Sequence, residues 1–279
     1  MNLIWNNYNF DFSQRTYIMG ILNVTPDSFS DGGLFFNKNT AVNHALRMQD
    51  EGADIVDIGG ESARPGAERI SVREEIRRVV PVIEAIAHRI KIPVSIDTYK
   101  SEVARAALSA GASIVNDISG LRFDKKMPEV VAGHKVPVVI MHIQGTPRNM
   151  QKAPVYKALI PEIMDYLRCG IEIARNAGVD DNKIILDPGI GFGKTVEHNL
   201  EIIKRLNKFT GLEKPILLGP SRKSFIGKIS GDLPVTERLE GTAAAVAVGI
   251  FNGASIIRAH DVKEMVRVAR VADAIKRGF

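Results

Sequence analysis

The sequence has only one cysteine, Cys169, in 279 residues. A single thiol excludes an intramolecular disulfide framework and any zinc site built from several thiolates, and it fits a reducing compartment such as the cytoplasm. Because Cys169 lies in a helical pattern, we expect a packed, inert thiol rather than a nucleophile.

The chain also lacks long apolar runs, blocks of like charge and low-complexity segments. No apolar run approaches the ~20 residues that span a bilayer, so we expect no membrane partner. The first 15 residues do not show the pattern of a secretory signal, and we expect none. The net charge is +5, but lysine and arginine are scattered, which favours small anions over nucleic acid as partners.

Short runs rich in valine and isoleucine recur along the whole chain, each followed by a polar loop and a segment with helical spacing. Continuous apolar runs are typical of parallel strands that are covered on both faces. The runs are Tyr17 to Val24, Asp54 to Gly59, Pro93 to Asp97, Ser113 to Asp117, Val136 to His142, Lys183 to Asp187, Pro215 to Gly219 and Ser255 to His260. Eight strand-helix units in about 250 residues are typical of a (β/α)8 barrel.

We therefore predict an α/β fold with one barrel domain at residues 17–279, preceded by a short N-terminal lead-in at residues 1–16. A doubly wound open sheet is the alternative. The last helix is expected to begin at Asp261, whose carboxylate suits an N-cap.

Polar groups follow every predicted strand, and in a barrel they would meet at the mouth formed by the carboxyl ends. Taken singly, each also has an ordinary structural explanation as a cap, a turn residue or a packed side chain. The groups are Asn23; Glu61, Ser62 and Arg64; Asp97; Asn116 and Asp117; His142; Asp187; Ser221, Arg222 and Lys223; Arg258 and His260.

These groups form two chemical sets. Carboxylates and amides suit the edge of a nitrogen heterocycle such as a pterin or a guanine, and this set is Asp97, Asn116 and Asp187. Cationic donors suit a phosphate or diphosphate, and this set is Arg64, Lys223, Arg258 and His260. Asn23, with carboxylates of the loop after it, could hold Mg²⁺ that bridges a diphosphate.

The run "GIGFGKT" at 189–195 resembles a nucleotide-binding loop but matches neither common pattern. A phosphate loop needs glycine where Pro188 stands, and the glycine spacing is not that of the dinucleotide fingerprint. We interpret the run as a loop that closes over a ring, with Phe192 as its aromatic lid.

The ordered motifs of the chain resemble those of the dihydropteroate synthase family, the folate-pathway enzymes that sulfonamides target. They are "ILNVTPDSFSDGG", "DIGGESARPGA", "VSIDTYK", "VNDISG", "LDPGIGFGK", "GPSRKSFIG" and "IIRAHDV", and they cover the chain from about residue 17 to its end. The resemblance implies a (β/α)8 barrel that joins (7,8-dihydropterin-6-yl)methyl diphosphate to 4-aminobenzoate, with Mg²⁺, and acts as a homodimer.

The resemblance also implies roles for individual residues. Asp97, Asn116, Asp187 and Lys223 would contact the pterin, with Met141 and Phe192 lining its pocket. Asn23, Arg258 and His260 would form the end that binds the diphosphate and Mg²⁺, with Asn23 as the metal ligand. Ser221, Arg222, Phe29 and Pro65 would receive 4-aminobenzoate. Lys223, Arg258 and His260 are the residues we assign to catalysis.

Two loops carry further expectations. The stretch "NVTPDSFSDGG" at 23–33 looks like a lid that completes the second substrate's site after the first has bound. The family usually has threonine where this chain has Ala63, which removes a hydroxyl near the expected diphosphate.

Two other functions compete with this prediction. A pterin-using methyltransferase of the same barrel class would pass a methyl group to a corrinoid protein, but the "TPDSFSDGG" loop and "SRKSF" suit an anion and a second small substrate. A pterin-binding module without catalysis would lack the cationic end, whereas Arg258 and His260 are present.

Overall fold

The computed structural model describes residues 1–25 and 34–278. For residues 34–37 it describes only the helical backbone. The strands of its main sheet are β3 (Tyr17–Asn23), β4 (Ile55–Gly59), β5 (Val94–Asp97), β6 (Ile114–Asp117), β7 (Val138–Met141), β8 (Ile184–Asp187), β9 (Leu217–Leu218) and β10 (Ile256–Ala259). They lie in the order β8-β7-β6-β5-β4-β3-β10-β9, with every pair parallel. All eight predicted strands are present.

The sheet closes between β8 and β9 through a narrow seam. Leu186 pairs in parallel with Ile216, and its N–H donates to the carbonyl of Pro215 at 2.9 Å. This closure excludes the doubly wound open sheet and confirms the predicted (β/α)8 barrel.

Prolines explain why three strands are shorter than predicted. Pro93, Pro137 and Pro215 stand just before β5, β7 and β9, where each carbonyl accepts a bond from the neighbouring strand but the ring nitrogen cannot donate one. The regular hydrogen-bond ladder of these strands therefore starts after the proline.

Helices cover the outside of the barrel. Some begin at polar caps: the Ser71 side chain accepts from the Glu74 N–H, and Thr195 and His198 form a reciprocal capping box. The described α-helices are α1 (Leu34–Asp50), α2 (Val72–Ala87), α3 (Ser101–Ser109), α4 (Met127–His134), α5 (Leu159–Asn176), α6 (Val196–Lys204), α7 (Ser224–Ile229), α8 (Leu239–Phe251) and α9 (Val262–Arg277). Short 3₁₀ turns lie at Asp181–Lys183, Leu206–Leu212 and Val235–Glu237. None of the described helices is long and apolar enough to cross a membrane.

The segment before the barrel forms a hairpin that sequence reasoning left without structure. Strands β1 (Asn2–Trp5) and β2 (Tyr8–Asp11) pair antiparallel. Their buried Leu3, Trp5 and Phe10 pack with the barrel-interior side chains of one core cluster, including Tyr17 and Met19 near the start of β3. Phe10 stacks on Tyr17 with ring centroids 4.3 Å apart. The hairpin therefore plugs the end of the barrel opposite the mouth, and the division at residue 16 stays a prediction.

Two local predictions need correction. Cys169 is exposed, because α5 buries a different stripe that includes Leu167 and Gly170. The thiol is therefore not packed. Asp261 does occupy the N-cap position of α9, but its side chain makes no capping bond and pairs with Arg222 instead.

Candidate active site

Arg258 is the centre of a charged network at the mouth of the barrel. Its Nε donates to Asp57 Oδ2 at 2.6 Å, and its Nη2 donates to Asp97 Oδ2 at 2.6 Å. Asn116 Nδ2 also donates to Asp57 Oδ2, at 3.0 Å. One guanidinium therefore links β10 to β4 and β5, and the carboxylates predicted for the ring do not form a set separate from the cations predicted for the phosphate.

Burial shapes the protonation of this network. Removal from water raises the pKa of the Asp97 carboxyl, while the Arg258 charge beside it acts in the opposite direction. Asp57 is fully buried, and its Oδ1 has no hydrogen-bond partner in the ranges that the structure describes. Asp57 was not among the predicted site residues, because it lies inside a strand rather than at its end. A carboxylate within an apolar strand was the available signal, since such a group needs a buried partner.

A second group of charges lies beside β8. Asp187 accepts the Gly189 N–H at 2.7 Å, and burial raises the pKa of its carboxyl to about 6. The Lys223 ammonium lies 4.2 Å from the centre of the Phe192 ring. Burial lowers the pKa of Lys223 to about 8, and the nearby Arg258 charge acts in the same direction. Lys223 therefore offers a cation on an aromatic face beside an acceptor.

An apolar cluster lies beside this second group of charges. Met141 and Phe192 are buried and belong to one cluster with Tyr99, Ile118, Ile143 and Met150. Ala63 packs against the same cluster. The residue that replaces the family's usual threonine therefore contacts apolar side chains.

His260 was predicted as a cationic donor, and the structure makes it neutral instead. Burial, together with the charges of Arg258 and Arg222, lowers the pKa of its imidazole to about 3. The Ser221 hydroxyl lies 3.0 Å from His260 Nδ1 and accepts the His260 backbone N–H at 3.2 Å. When the hydroxyl donates to Nδ1, the ring proton is on Nε2, so His260 can donate one hydrogen bond without a charge.

The guanidinium of Arg222 is engaged within the protein. It forms a two-point ion pair with Asp261, with Nε 2.9 Å from Oδ2. The Arg222 backbone is left-handed, with φ of 54°, and its N–H donates to Thr242 Oγ1 at 3.0 Å. This residue, predicted to receive 4-aminobenzoate, therefore has an acidic partner already.

The loop after β4 carries Arg64 and Pro65, which are both exposed. Its base is anchored by Lys100, whose ammonium donates to Glu61 at 2.7 Å, to Glu75 at 2.6 Å and to the Ile70 carbonyl at 2.8 Å. This anchor was not predicted from the sequence.

The predicted magnesium ligand Asn23 lies at the end of β3, half buried, and pairs in register with Gly59. A Cβ added to Gly59 would lie 3.8 Å from Asn23 Oδ1 and 3.7 Å from Asp97 Oδ2, so both oxygens border the space above this glycine. Within the described ranges, no three histidine, cysteine or acidic side chains form a metal cluster. Phe29 and most of the proposed lid lie outside the described residues.

The sequence matches the pterin binding enzyme family over residues 19–260. A dihydropteroate synthase of Bacillus subtilis (strain 168) is 51% identical over 264 residues, which cover 95% of this chain and 90% of that protein. The dihydropteroate synthase of Yersinia pestis, solved in a sulfonamide drug complex, is 43% identical, with a TM-score of 0.93 and 99% of each chain covered.

A third relative was solved with 7,8-dihydropteroate bound. This dihydropteroate synthase from Xanthomonas albilineans, in complex with 7,8-dihydropteroate, is 38% identical with a TM-score of 0.89, and the match covers 99% of each chain. The relatives thus share the fold over nearly the whole length of the chain. The chain therefore belongs to the pterin binding enzyme family and, within it, to the dihydropteroate synthases.

Proposed function

We propose that the mouth of this barrel joins (7,8-dihydropterin-6-yl)methyl diphosphate to 4-aminobenzoate, releasing diphosphate and forming 7,8-dihydropteroate. The observation that carries the proposal is the network around Arg258, which brings Asp97 and Asn116 together with a guanidinium at one end of the barrel. A ring rich in N–H groups and an adjacent anion are the ligands that such a set suits.

The ring would bind between β5, β6 and β8. Asp97 and Asp187 would accept its N–H groups, while Asn116 would add an amide oxygen. Lys223 over Phe192 would hold the ring from one side through its charge and that aromatic face. Met141 would contribute apolar contact from the end of β7.

The reaction needs no protein nucleophile. The Ser221 hydroxyl lies against His260 Nδ1, but the proposed reaction gives it no covalent role. The C–O bond to the diphosphate breaks and its electron pair leaves with the anion. The electron-rich dihydropterin stabilises the methylene cation that remains. The amine of 4-aminobenzoate then forms the C–N bond and loses a proton. The protein contributes position and electrostatic stabilisation of the leaving group, through the Arg258 and Lys223 charges and the neutral His260 donor.

Asn23 would hold Mg²⁺ together with oxygens of the diphosphate. One amide oxygen near the Asp97 carboxylate fits this ion, which commonly binds through one or two protein ligands, several waters and substrate phosphates. When bound, Mg²⁺ would stabilise negative charge on the leaving diphosphate.

The 4-aminobenzoate site would be formed by Ser221 and Arg222 with Pro65 and Phe29 from the two loops. Because Arg222 pairs with Asp261, it would bind the benzoate through a donor outside that pair or by giving up part of it. Arg64, exposed on the same loop as Pro65, would reach the diphosphate when this loop closes.

A homodimer is the assembly we propose. Its support is a group of exposed apolar side chains on α8 and α9: Val248 (48% exposed), Phe251 (55%), Val271 (61%) and Ile275 (69%). The two helices are neighbours, since Lys276 Nζ donates to the Ile250 carbonyl at 2.6 Å. Light scattering of the wild type and of Phe251→Glu tests this: a dimer and a monomer, respectively, are expected, and a monomeric wild type would refute the assembly. The reducing location, which rests on the cysteine count, stays a proposal.

The direct test is incubation with (7,8-dihydropterin-6-yl)methyl diphosphate and Mg²⁺, with and without 4-aminobenzoate. We expect diphosphate release that depends on the amine, together with 7,8-dihydropteroate detected by mass. A methyltransferase would release no diphosphate, and a binding module would bind the pterin without turnover. Either outcome would reject the proposed reaction.

A further inference from the structure

Lys194, at the end of the glycine-rich loop after β8, is a buried lysine that the proposed reaction does not use. It is 3% exposed, and its Nζ lies 2.9 Å from His142 Nδ1 and 3.0 Å from the Phe192 carbonyl oxygen. Within residues 1–25 and 34–278, no carboxylate lies within 4.0 Å of the ammonium. A lysine without an acidic partner is costly to bury, and such groups concentrate at functional sites.

The ammonium anchors the loop that carries Phe192. Two further bonds hold this loop: the Tyr156 hydroxyl donates to the Gly193 carbonyl at 2.7 Å, and Gln151 Nε2 donates to the Gly191 carbonyl at 2.7 Å. Lys194 differs from Tyr156 and Gln151 because it bears a charge and reaches His142, just after β7. The loop position therefore depends on several groups, but only one of them is a cation.

The same ammonium lies close to Asp187. Its Nζ is 3.4 Å from the point where a Cβ on Gly189 would stand, and the Gly189 N–H donates to Asp187 Oδ1 at 2.7 Å. Gly189 thus lies between the Lys194 ammonium and the Asp187 carboxylate. In this buried setting the ammonium favours the ionised form of the Asp187 carboxyl, in the same direction as the Gly189 N–H and the Lys223 charge.

We propose that Lys194 is a positioning residue of the pterin pocket, whose ammonium fixes the Phe192 loop and whose charge keeps the Asp187 carboxylate ionised for the ring. The inference rests on the proposed function, since it assumes that Asp187 accepts N–H groups of a pterin. It concerns a lysine that touches the protein rather than the substrate.

The pKa directions agree with this geometry. Burial raises the pKa of Asp187 to about 6, and the Gly189 N–H with the Lys223 and Lys194 charges prevents a larger rise. Burial lowers the pKa of Lys194 to about 7, although the Asp187 charge opposes this and Lys223 adds to it. Burial and the Lys194 charge lower the pKa of His142 to about 2, so this imidazole stays neutral and accepts from the ammonium. The charge on Lys194 is therefore present in the pH range where Asp187 titrates.

Other groups face this pair from each neighbouring element. They are Lys223 at the start of α7, Arg258 in β10, His142 after β7, Arg122 beyond His142, and the rings of Tyr156 and Tyr166 against His142. All of them remain in a Lys194 variant, so a change in the Asp187 titration would report the lost ammonium.

The test measures binding of 6-hydroxymethyl-7,8-dihydropterin, which lacks the diphosphate, by calorimetry from pH 5 to pH 8.5. The variants are Lys194→Met, which is similar in length and uncharged, Lys194→Gln, which supplies an uncharged donor, and Lys194→Arg, which keeps the charge. Tyr156→Phe is the matched control, because it removes a hydrogen bond to the same loop without removing a cation. Circular dichroism and melting curves identify folded variants.

Wild-type affinity should fall below about pH 6 as Asp187 takes up a proton. In the two uncharged variants this fall in affinity should begin about one pH unit higher than in the wild type. On the acid side their affinity should therefore be about tenfold lower than that of the wild type. The difference in affinity should disappear above pH 8, where wild-type Lys194 is largely neutral. Lys194→Arg should show the same pH dependence as the wild type. Protonation of Asp97 also lowers affinity at acid pH, but it does so in every variant. Its effect therefore cancels in the ratio of variant to wild-type affinity at each pH.

The charge role would be overturned if the uncharged Lys194 variants lost pterin affinity by the same factor at every pH, as we expect for Tyr156→Phe. It would also be overturned if their affinity fell at the same pH as that of the wild type. Two uncharged variants allow the comparison even if one of them fails to fold. A wild type that binds no pterin at any pH would refute the proposed function instead, so the two failures are distinguishable.

Discussion

Asp57 allows a sharp test of whether the Arg258 network is held by charge. Its Oδ2 is 2.6 Å from Arg258 Nε and 3.0 Å from Asn116 Nδ2, and the side chain is completely buried. Asp57→Asn keeps the shape and an acceptor oxygen but removes the negative charge. Arg258 would then have only Asp97 as a carboxylate partner among the described residues.

The expected cost follows from the burial of the pair. Removing one partner of a buried ion pair typically destabilises a protein by about 3–5 kcal/mol, because the other charge is left uncompensated. Since Asp97 still pairs with Arg258, we expect the lower end, about 3 kcal/mol. For a chain of this size the melting temperature should fall by about 6–9 °C.

A double-mutant cycle with Arg258→Met separates charge from packing. Urea unfolding at pH 7.5 should show that Asp57→Asn costs about 3 kcal/mol in the wild type and is neutral or stabilising when residue 258 is methionine. The resulting interaction energy should reach about 2 kcal/mol or more. An equal cost in both backgrounds would refute the reasoning, because the loss would then come from packing around residue 57.

Three other predictions address the plug, the pH dependence and the loop anchor. Trp5→Ala should cost about 3–5 kcal/mol in urea unfolding, whereas Ile4→Ala, on the exposed face of the same strand, should change stability by less than about 0.5 kcal/mol. The folded pKa of His142 is about 2, below the ordinary value of about 6.5. The contribution of neutral His142 to the free energy of unfolding is therefore fully present above pH 6.5. As the pH falls below this value, up to about 1.4 kcal/mol is lost per pH unit. His142→Gln should lessen that acid slope in unfolding curves at pH 4–7, and an unchanged slope would contradict the burial argument. Lys100→Met should raise the KM for 4-aminobenzoate about tenfold, equivalent to about 1.4 kcal/mol, while binding of the bare pterin stays unchanged. Loss of pterin binding would assign Lys100 a different role.

The barrel could be predicted from the sequence because a parallel strand buried on both faces leaves a local signal, a short continuous apolar run. The hairpin was missed because its two strands have only four residues each. Its signal was present in the alternation of Leu3 with Trp5 and in the turn that follows, where Asn6 adopts a positive φ of 47°. Only the packing of these side chains against the start of β3 makes so short a hairpin stable.

The site could be predicted only in part. Strand ends converge in any barrel, so Asp97 and Arg258 could be placed at one mouth from strand order alone. The partners of Asp57 and the burial of Lys194 could not, because they depend on which side chains meet across the barrel. The protonation of His260 depends on the same long-range packing, and for this reason an imidazole that looked cationic in the sequence is neutral in the structure. The ligand contacts of all these residues stay predictions.

The Arg258 network combines engaged and available atoms in each of its members. Arg258 uses Nε and Nη2, Asp97 uses Oδ2, and Asn116 uses Nδ2. Across the ranges that the structure describes, Arg258 Nη1, Asp97 Oδ1 and Asn116 Oδ1 have no hydrogen-bond partner. The internal bonds fix the orientation of each group before a ligand arrives, so less ordering remains to be done on binding. A carboxylate oxygen and an amide oxygen remain for a ring, and an N–H donor remains for an anion. One network of paired charges would therefore suit both ends of the proposed substrate, whereas the sequence had suggested two separate sets of residues.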